Sequence, residues 1–167
     1  MSAEADPTKS GPLRAPLRPL WATALGRGLL GLLLGLVVAL VFVVLDHRKA
    51  NTVSKVFIQA RVIVLQYQGE KGAWPKDFDL SAPGDQFGGF KLEPLLDALA
   101  RCDVAGRWTF VAKSPEGVPG IVFTAAEPDR GFRRVLDAVD HWLDDGDAAT
   151  GDLRVREGEA VLRLSAE

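Results

Sequence analysis

Residues 28–45 read GLLGLLLGLVVALVFVVL, and residues 46–68 continue as DHRKANTVSKVFIQARVIVLQYQ. The first stretch is eighteen residues without a charge or a strong hydrogen-bonding side chain. That is close to the roughly 20 apolar residues a helix needs to cross the hydrocarbon core of a bilayer. The second stretch contains no Pro or Gly, so nothing in it breaks a helix that has begun upstream. Its apolar residues Val53, Val56, Phe57, Ala60, Ile63, Val64 and Tyr67 recur at i, i+3, i+4 and i+7, the spacing of a one-sided helix. The two stretches therefore predict one helix from about Arg27 to Gln68. It is apolar all round in its first half (27–45, transmembrane) and amphipathic in its second (46–68).

The flanks of the span exclude the usual cleaved secretory signal. The apolar run exceeds the 7–15 residues of a signal core, and it is followed by Asp46-His47-Arg48-Lys49 rather than a small-residue cleavage site. Upstream, residues 1–26 hold Pro12, Pro16 and Pro19 among Gly, Ser and scattered charge, which predicts a disordered basic tail. Cationic residues flank the span evenly, with Lys9, Arg14, Arg18 and Arg27 before it and Arg48, Lys49, Lys55 and Arg61 after it. The positive-inside rule therefore gives no orientation.

Charge is as unevenly spread as hydrophobicity. Residues 1–68 carry eight Lys/Arg against three Asp/Glu, a net of +5, whereas residues 69–167 carry twelve against nineteen, a net of −7. An acidic domain of that kind excludes nucleic acid, whose phosphates require a basic surface. Cys102 is the single cysteine, so no internal disulfide can form. Two histidines in the whole chain argue against a histidine-based metal centre.

Residues 69–167 alternate between helical and strand periodicity. A loop over 69–91 holds Trp74, Phe78, Phe87 and Phe90, which are expected to pin it to the core edge. Phe87-Gly88-Gly89-Phe90 reads equally as a buried turn or an exposed subunit contact. Residues 92–103 read as a short helix through Leu92, Leu95, Leu96 and Leu99. RWTFVAK (107–113) and GIVFTAA (120–126) are rich in β-branched and aromatic residues and flank a turn, which predicts a hairpin. Residues 131–146 return to helical spacing with Phe132, Val135, Leu136, Val139, Trp142 and Leu143 on one face. DLRVRE and EAVLRLS close the chain as a second hairpin. The expected fold class is α+β, with a long N-terminal helix packed on a small antiparallel sheet carrying short helices.

Chemistry is sparse. No nucleophile elbow, zinc-protease helix, dinucleotide fingerprint or phosphate loop is present, so the expectation is a non-enzyme. Asp140 and Asp144 stand one helical turn apart and read as a solvated helix face, with His141 half-exposed beside them. LDDGDAATGDLRV (143–155) gathers Asp144, Asp145, Asp147 and Asp152 around two glycines. Gly146 is placed to end the preceding helix in the left-handed conformation. Carboxylates at a helix C-terminus oppose its dipole, and calcium is one form of compensation. The spacing is not that of the twelve-residue EF-hand loop, so the stretch reads first as a helix-to-hairpin turn and second as a calcium site. In the span, Gly28, Gly31 and Gly35 include a GxxxG pair at 31/35, the kind of small-residue surface on which helices pack in lipid.

This arrangement resembles type IV pilins and the pseudopilins of type II secretion. VLQYQGEKGAWPKDF is similar to their Tyr-containing helix end followed by Gly and an aromatic–Pro pair. DDGDAATGDLRV resembles the Asp-Asp-Gly turn and Thr-Gly pair that lead into a last strand in certain pseudopilin-like proteins. The resemblance implies a structural subunit of a secretion or pilus-type system, held in the bacterial inner membrane with its N-terminus cytoplasmic and its domain periplasmic. It implies partners of the same kind, homo- or hetero-oligomeric, together with the lipid bilayer, and it implies calcium at the C-terminal aspartates. It also implies processing at Gly28/Leu29, which would place Leu33 at the fifth mature position, where the family usually carries glutamate. The missing carboxylate leaves a non-polymerising single-pass adaptor of an envelope complex as the alternative, and an anchored enzyme as a third.

Overall fold

The computed structural model describes residues 24–114, 117–128, 130–156 and 158–165. Residues 1–23, which make up most of the expected tail, lie outside them. The chain divides into two compact units at Val41/Phe42.

Helix α1 runs from Ala24 to Lys71 without a break, as the absence of Pro over that range permits. In the first unit its leucines and valines are exposed on every side. It is the one helix among the described residues that is long and apolar enough to cross a membrane.

In the second unit α1 has two faces. Ala50, Val53, Val56, Phe57, Ala60, Ile63 and Val64 are buried, while Lys55, Ile58 and Val62 are exposed. The buried stripe is the i, i+3, i+4, i+7 set of the sequence, and Gly72 ends the helix at φ +67°. The rest of the domain is built against that stripe. Strand β1 (Phe78–Asp79), helix α2 (Glu93–Ala100), strands β2 (Gly106–Val111) and β3 (Gly120–Ala125), helix α3 (Arg130–Leu143), and strands β4 (Leu153–Arg156) and β5 (Glu159–Arg163) follow in order. The strands form one antiparallel sheet ordered β1-β2-β3-β5-β4.

Strand alternation assigns the two sheet faces. Phe110, Ile121, Leu162 and Leu153 stand in one register row, and Trp108, Phe123, Ala160 and Val155 in the next. Both rows belong to the core with α1, α2 and α3. An aromatic chain joins the layers: Phe57 of α1 meets Trp108 edge-on at 4.9 Å, Trp108 packs on Phe123 at 4.3 Å, and Phe123 reaches Phe132 of α3 at 5.7 Å. Ala60 is buried where α1 crosses the core. Ala60→Leu should cost about 1–3 kcal/mol through overpacking, seen as a lower urea midpoint with an unchanged slope.

Three sequence expectations shift. The loop over 69–91 contains the short strand β1, which pairs with β2, and a single 3-10 turn at Asp85–Phe87. Two residues of strand are too few for periodicity to reveal. Phe87 is buried, and both it and Phe90 pack on Tyr67; burial therefore wins for Phe87, while Phe90 is half-buried. Leu96 and Trp142, both assigned to apolar stripes, are instead exposed.

Candidate functional site

Two places hold side chains that the fold itself does not explain: the C-terminal end of α3, and the small-residue surface of α1.

At the end of α3 the buried stripe runs Phe132, Val135, Leu136, Val139 and then Asp140. The expected solvated face is wrong for Asp140, which is fully buried. Four residues after Leu136, it occupies a core-facing position that helical geometry reserves for an apolar side chain. Neither of its carboxylate oxygens has a hydrogen-bond partner among the described residues. Its neighbours aggravate the problem: oxygens of Asp140, Asp144 and Asp145 come within 4.8 Å of one another. Burial first, and then the charges of Asp144, Asp145, Asp147 and Asp137, push the Asp140 carboxyl up from its ordinary 3.8 to about 6.

The turn beyond the helix is held by the aspartates themselves. Gly146 takes φ +79°, the left-handed conformation expected of it, but α3 has already ended at Leu143, so this glycine bends the turn beyond the helix rather than stopping the helix itself. Asp144 Oδ2 accepts the Leu153 N–H at 2.7 Å and so fixes the start of β4. Asp145 accepts the Asp147 N–H at 3.0 Å and the Thr150 hydroxyl at 2.8 Å; these bonds hold its carboxyl below the ordinary value. Asp147 accepts the Ala149 N–H at 3.0 Å. Of the four aspartates singled out from sequence, Asp144 and Asp145 enter the carboxylate group. Asp147 and Asp152 stand outside it, and Asp140 takes their place. His141 is exposed rather than half-buried.

Gly151 shows how tightly the turn closes. It has φ +72°, and a Cβ there would strike the Asp144 carboxylate. Gly151→Ala is expected to cost about 1–2 kcal/mol, because the backbone is unsuited to an L side chain and the Asp144–Leu153 bond must move. Chemical denaturation of the domain measures it.

A group of three carboxylates at the negative end of a helix dipole, one of them buried and unbonded, can take either of two compensations. One is a proton on Asp140. The other is a hard cation held by oxygen ligands, and the donor set of Asp140, Asp144 and Asp145, with no thiolate or imidazole, suits calcium rather than zinc. The residues present fit calcium by this test, since an unpartnered buried carboxylate is what a cation would satisfy.

Elsewhere, a cleft of about 320 Å³ is lined by Asp79, Ser81, Leu99, Cys102 and Val104–Trp108. Cys102 faces it, but its thiol donates to the Val104 carbonyl at 3.8 Å, and burial raises its pKa, the opposite of an activated nucleophile. The bonds from Ser81 to Asp79 hold that carboxyl low. Neither histidine lines the cleft.

The second place is the glycine surface of α1. A Cβ built on Gly28, Gly31 or Gly35 would meet nothing within 4 Å. Packing among the described residues therefore does not account for the small side chains there. Leu29, the residue after the expected junction, is exposed on the helix. Compared with known proteins, the chain matches no family model, no curated protein and no solved structure.

Proposed function

We infer that this protein is a single-pass membrane subunit of the pilin or pseudopilin kind, which assembles with like subunits through its N-terminal helix. The observation that carries the reading is α1 itself. One unbroken helix presents an apolar surface on all sides over its first half and supplies a wall of the domain core with its second. A helix of the first kind is soluble only in lipid or inside a bundle of other helices. Apolar helices gain little from meeting each other in lipid, so contact depends on close backbone approach. Gly28, Gly31 and Gly35 provide that approach, and a Cβ on any of them would meet nothing among the described residues. On this reading the N-terminus is cytoplasmic, the domain lies on the far side of the bacterial inner membrane, and calcium at Asp140, Asp144 and Asp145 tightens the domain's last turn.

The second reading, a non-polymerising adaptor, draws on Leu33 standing where the family's glutamate would be. Crosslinking separates the two. In a Cys102→Ser background, Leu32→Cys together with Leu34→Cys puts two thiols on opposite faces of the helix, so each subunit can bond two neighbours. Oxidation should give a ladder of crosslinked species in membranes, and Gly31→Ile with Gly35→Ile should collapse it to monomer. A single crosslinked species insensitive to the isoleucines would favour the adaptor. Sequencing the N-terminus of the extracted protein tests processing, with a start at Leu29 expected for a processed subunit.

A further inference from the structure

Trp142 breaks the pattern of its own helix. Its position in α3 suits the apolar stripe, yet it is 42% exposed while Val139 beside it is buried. It does not turn into the core but reaches across to α1, where its ring stands edge-on to the His47 imidazole at 4.9 Å and 83°. An ion pair between Arg134 and Asp46 at 3.3 Å holds α3 against this same part of α1. Together Val43, Val44, His47, Arg48, Asn51 and Trp142 line a shallow groove of about 350 Å³ that is open to the outside. Val43, Val44 and Leu45, the last turn of the apolar run, are exposed, and Arg48 and Lys49 follow within one turn.

We propose that this groove is a lipid seat, in which Trp142, Val43 and Val44 meet the acyl–headgroup boundary of a phospholipid bilayer and Arg48 meets its phosphates, with Lys49 beside it on the helix outside the groove. The proposal rests on the membrane-anchor reading and deepens it. If residues 28–45 fill the hydrocarbon core, Val43 and Val44 lie at its outer margin. Trp142 shares their groove and therefore lies at the same depth, although it is almost a hundred residues further along the chain. An indole is the side chain best suited to that depth: its ring is apolar, its N–H needs a polar partner, and tryptophans gather at both bilayer interfaces. The cations one turn further out are placed where phosphates stand and are drawn to an anionic surface. An exposed Trp in a groove continuous with an exposed apolar helix turn is a liability in water, and lipid removes it. The consequence is positional: the Trp142 end of α3 lies on the membrane, and the domain does not stand clear of it.

The test uses the full chain reconstituted into phosphatidylcholine–phosphatidylglycerol vesicles, with and without lipids brominated near the headgroup end of the acyl chain. Emission from the protein minus emission from its Trp142→Phe variant isolates the one indole, and the exposed position lets the variant fold. Flotation with the vesicles is read for both proteins. The expected result is equal flotation, a blue-shifted Trp142 emission, and loss of a large part of that emission to bromine, because tryptophans gather at the interface where the bromine is placed. The loss should not change as the vesicles are diluted with lipid. Flotation without quenching overturns the proposal while leaving the anchor intact. Quenching that fades, or a blue shift that appears only at high protein density, overturns it in favour of a second copy seated in the groove. Failure of both proteins to float removes the anchor reading, and the lipid seat with it.

Discussion

Leu36→Arg combined with Leu40→Arg is expected to release the protein from membranes, whereas Leu36→Arg alone is expected to leave most of it there. The asymmetry follows from magnitudes. Fourteen Leu, Val and Phe residues occupy 28–45, and at about −0.3 to −0.6 kcal/mol each they favour insertion by roughly 4–8 kcal/mol. One arginine near the middle costs about 2.5–3.5 kcal/mol, which lowers that balance without reversing it. Two arginines one turn apart on the same helix face cancel it. Both positions are exposed in the first unit, so neither substitution disturbs the domain core. Alkaline extraction of membranes followed by immunoblotting reads the distribution. Retention of the double variant would show that the span is not what holds the protein in place.

The second large effect concerns Asp140, and its sign is unusual for a core substitution. With calcium removed by chelator at pH 7.5, Asp140→Asn is expected to stabilise the domain by about 2 kcal/mol. The Asp140 carboxyl is pushed up to about 6 in the folded state against an ordinary 3.8. Such a raised carboxylate is neutral below about pH 4 in both states and costs the fold nothing there. As pH rises from 4 to about 6 the unfolded chain loses its proton first, so wild-type stability falls across that window and stays low above it. Two pKa steps amount to a little under 3 kcal/mol. Solvent screening of exposed Asp145 and Asp147 trims that figure.

The asparagine variant should show no such decline. Calcium should reverse the ranking: at a hundredfold excess over its dissociation constant, ligand binding to the folded state adds about 2.7 kcal/mol, available to the wild type and denied to Asp140→Asn. Urea titrations at pH 5 and 7.5, each with and without calcium, measure both halves. A wild type indifferent to calcium would leave the proton as the compensation for Asp140. An asparagine variant weaker than wild type without calcium would contradict the buried-charge account altogether.

How much of this was legible differs from place to place. The α1 stripe from Val53 to Tyr67 could be read residue by residue, because a 3.6-residue period over many turns has few alternative explanations. The hairpin strands around Trp108 and Phe123 were legible for a similar reason, since β-branched and aromatic runs flank turn residues. Strand β1 was not, because Phe78–Asp79 is a strand only by virtue of its partners Phe110 and Thr109, which lie some thirty residues downstream.

The aspartate site was half legible. The turn at 143–155 announced itself through composition, and Gly146 through its place after a helical stripe. Asp140 carried a signal that was available and outweighed: it stands at i+4 from Leu136, on the core side. A carboxylate in an acidic stretch defaults to solvent, and only the packing of α3 shows that this one is denied it. Trp142 is the converse. Composition and spacing place it in the core, and its exposure follows from the groove it forms with Val43, Val44 and His47, nearly a hundred residues earlier in the chain.

By itself the sequence determined the elements governed by local periodicity: the apolar run, its amphipathic continuation, the two hairpins, and the α+β class they compose. These depend on interactions between residues a few positions apart, and such interactions are written in order along the chain. Spacing within α3 put Asp140 on the core side, but tertiary structure decided that its carboxylate is left there without a partner among the described residues and that Trp142 is left outside the core. Both outcomes depend on what the helix meets across space, and for Trp142 that is the exit of the apolar run, which no spacing within α3 encodes.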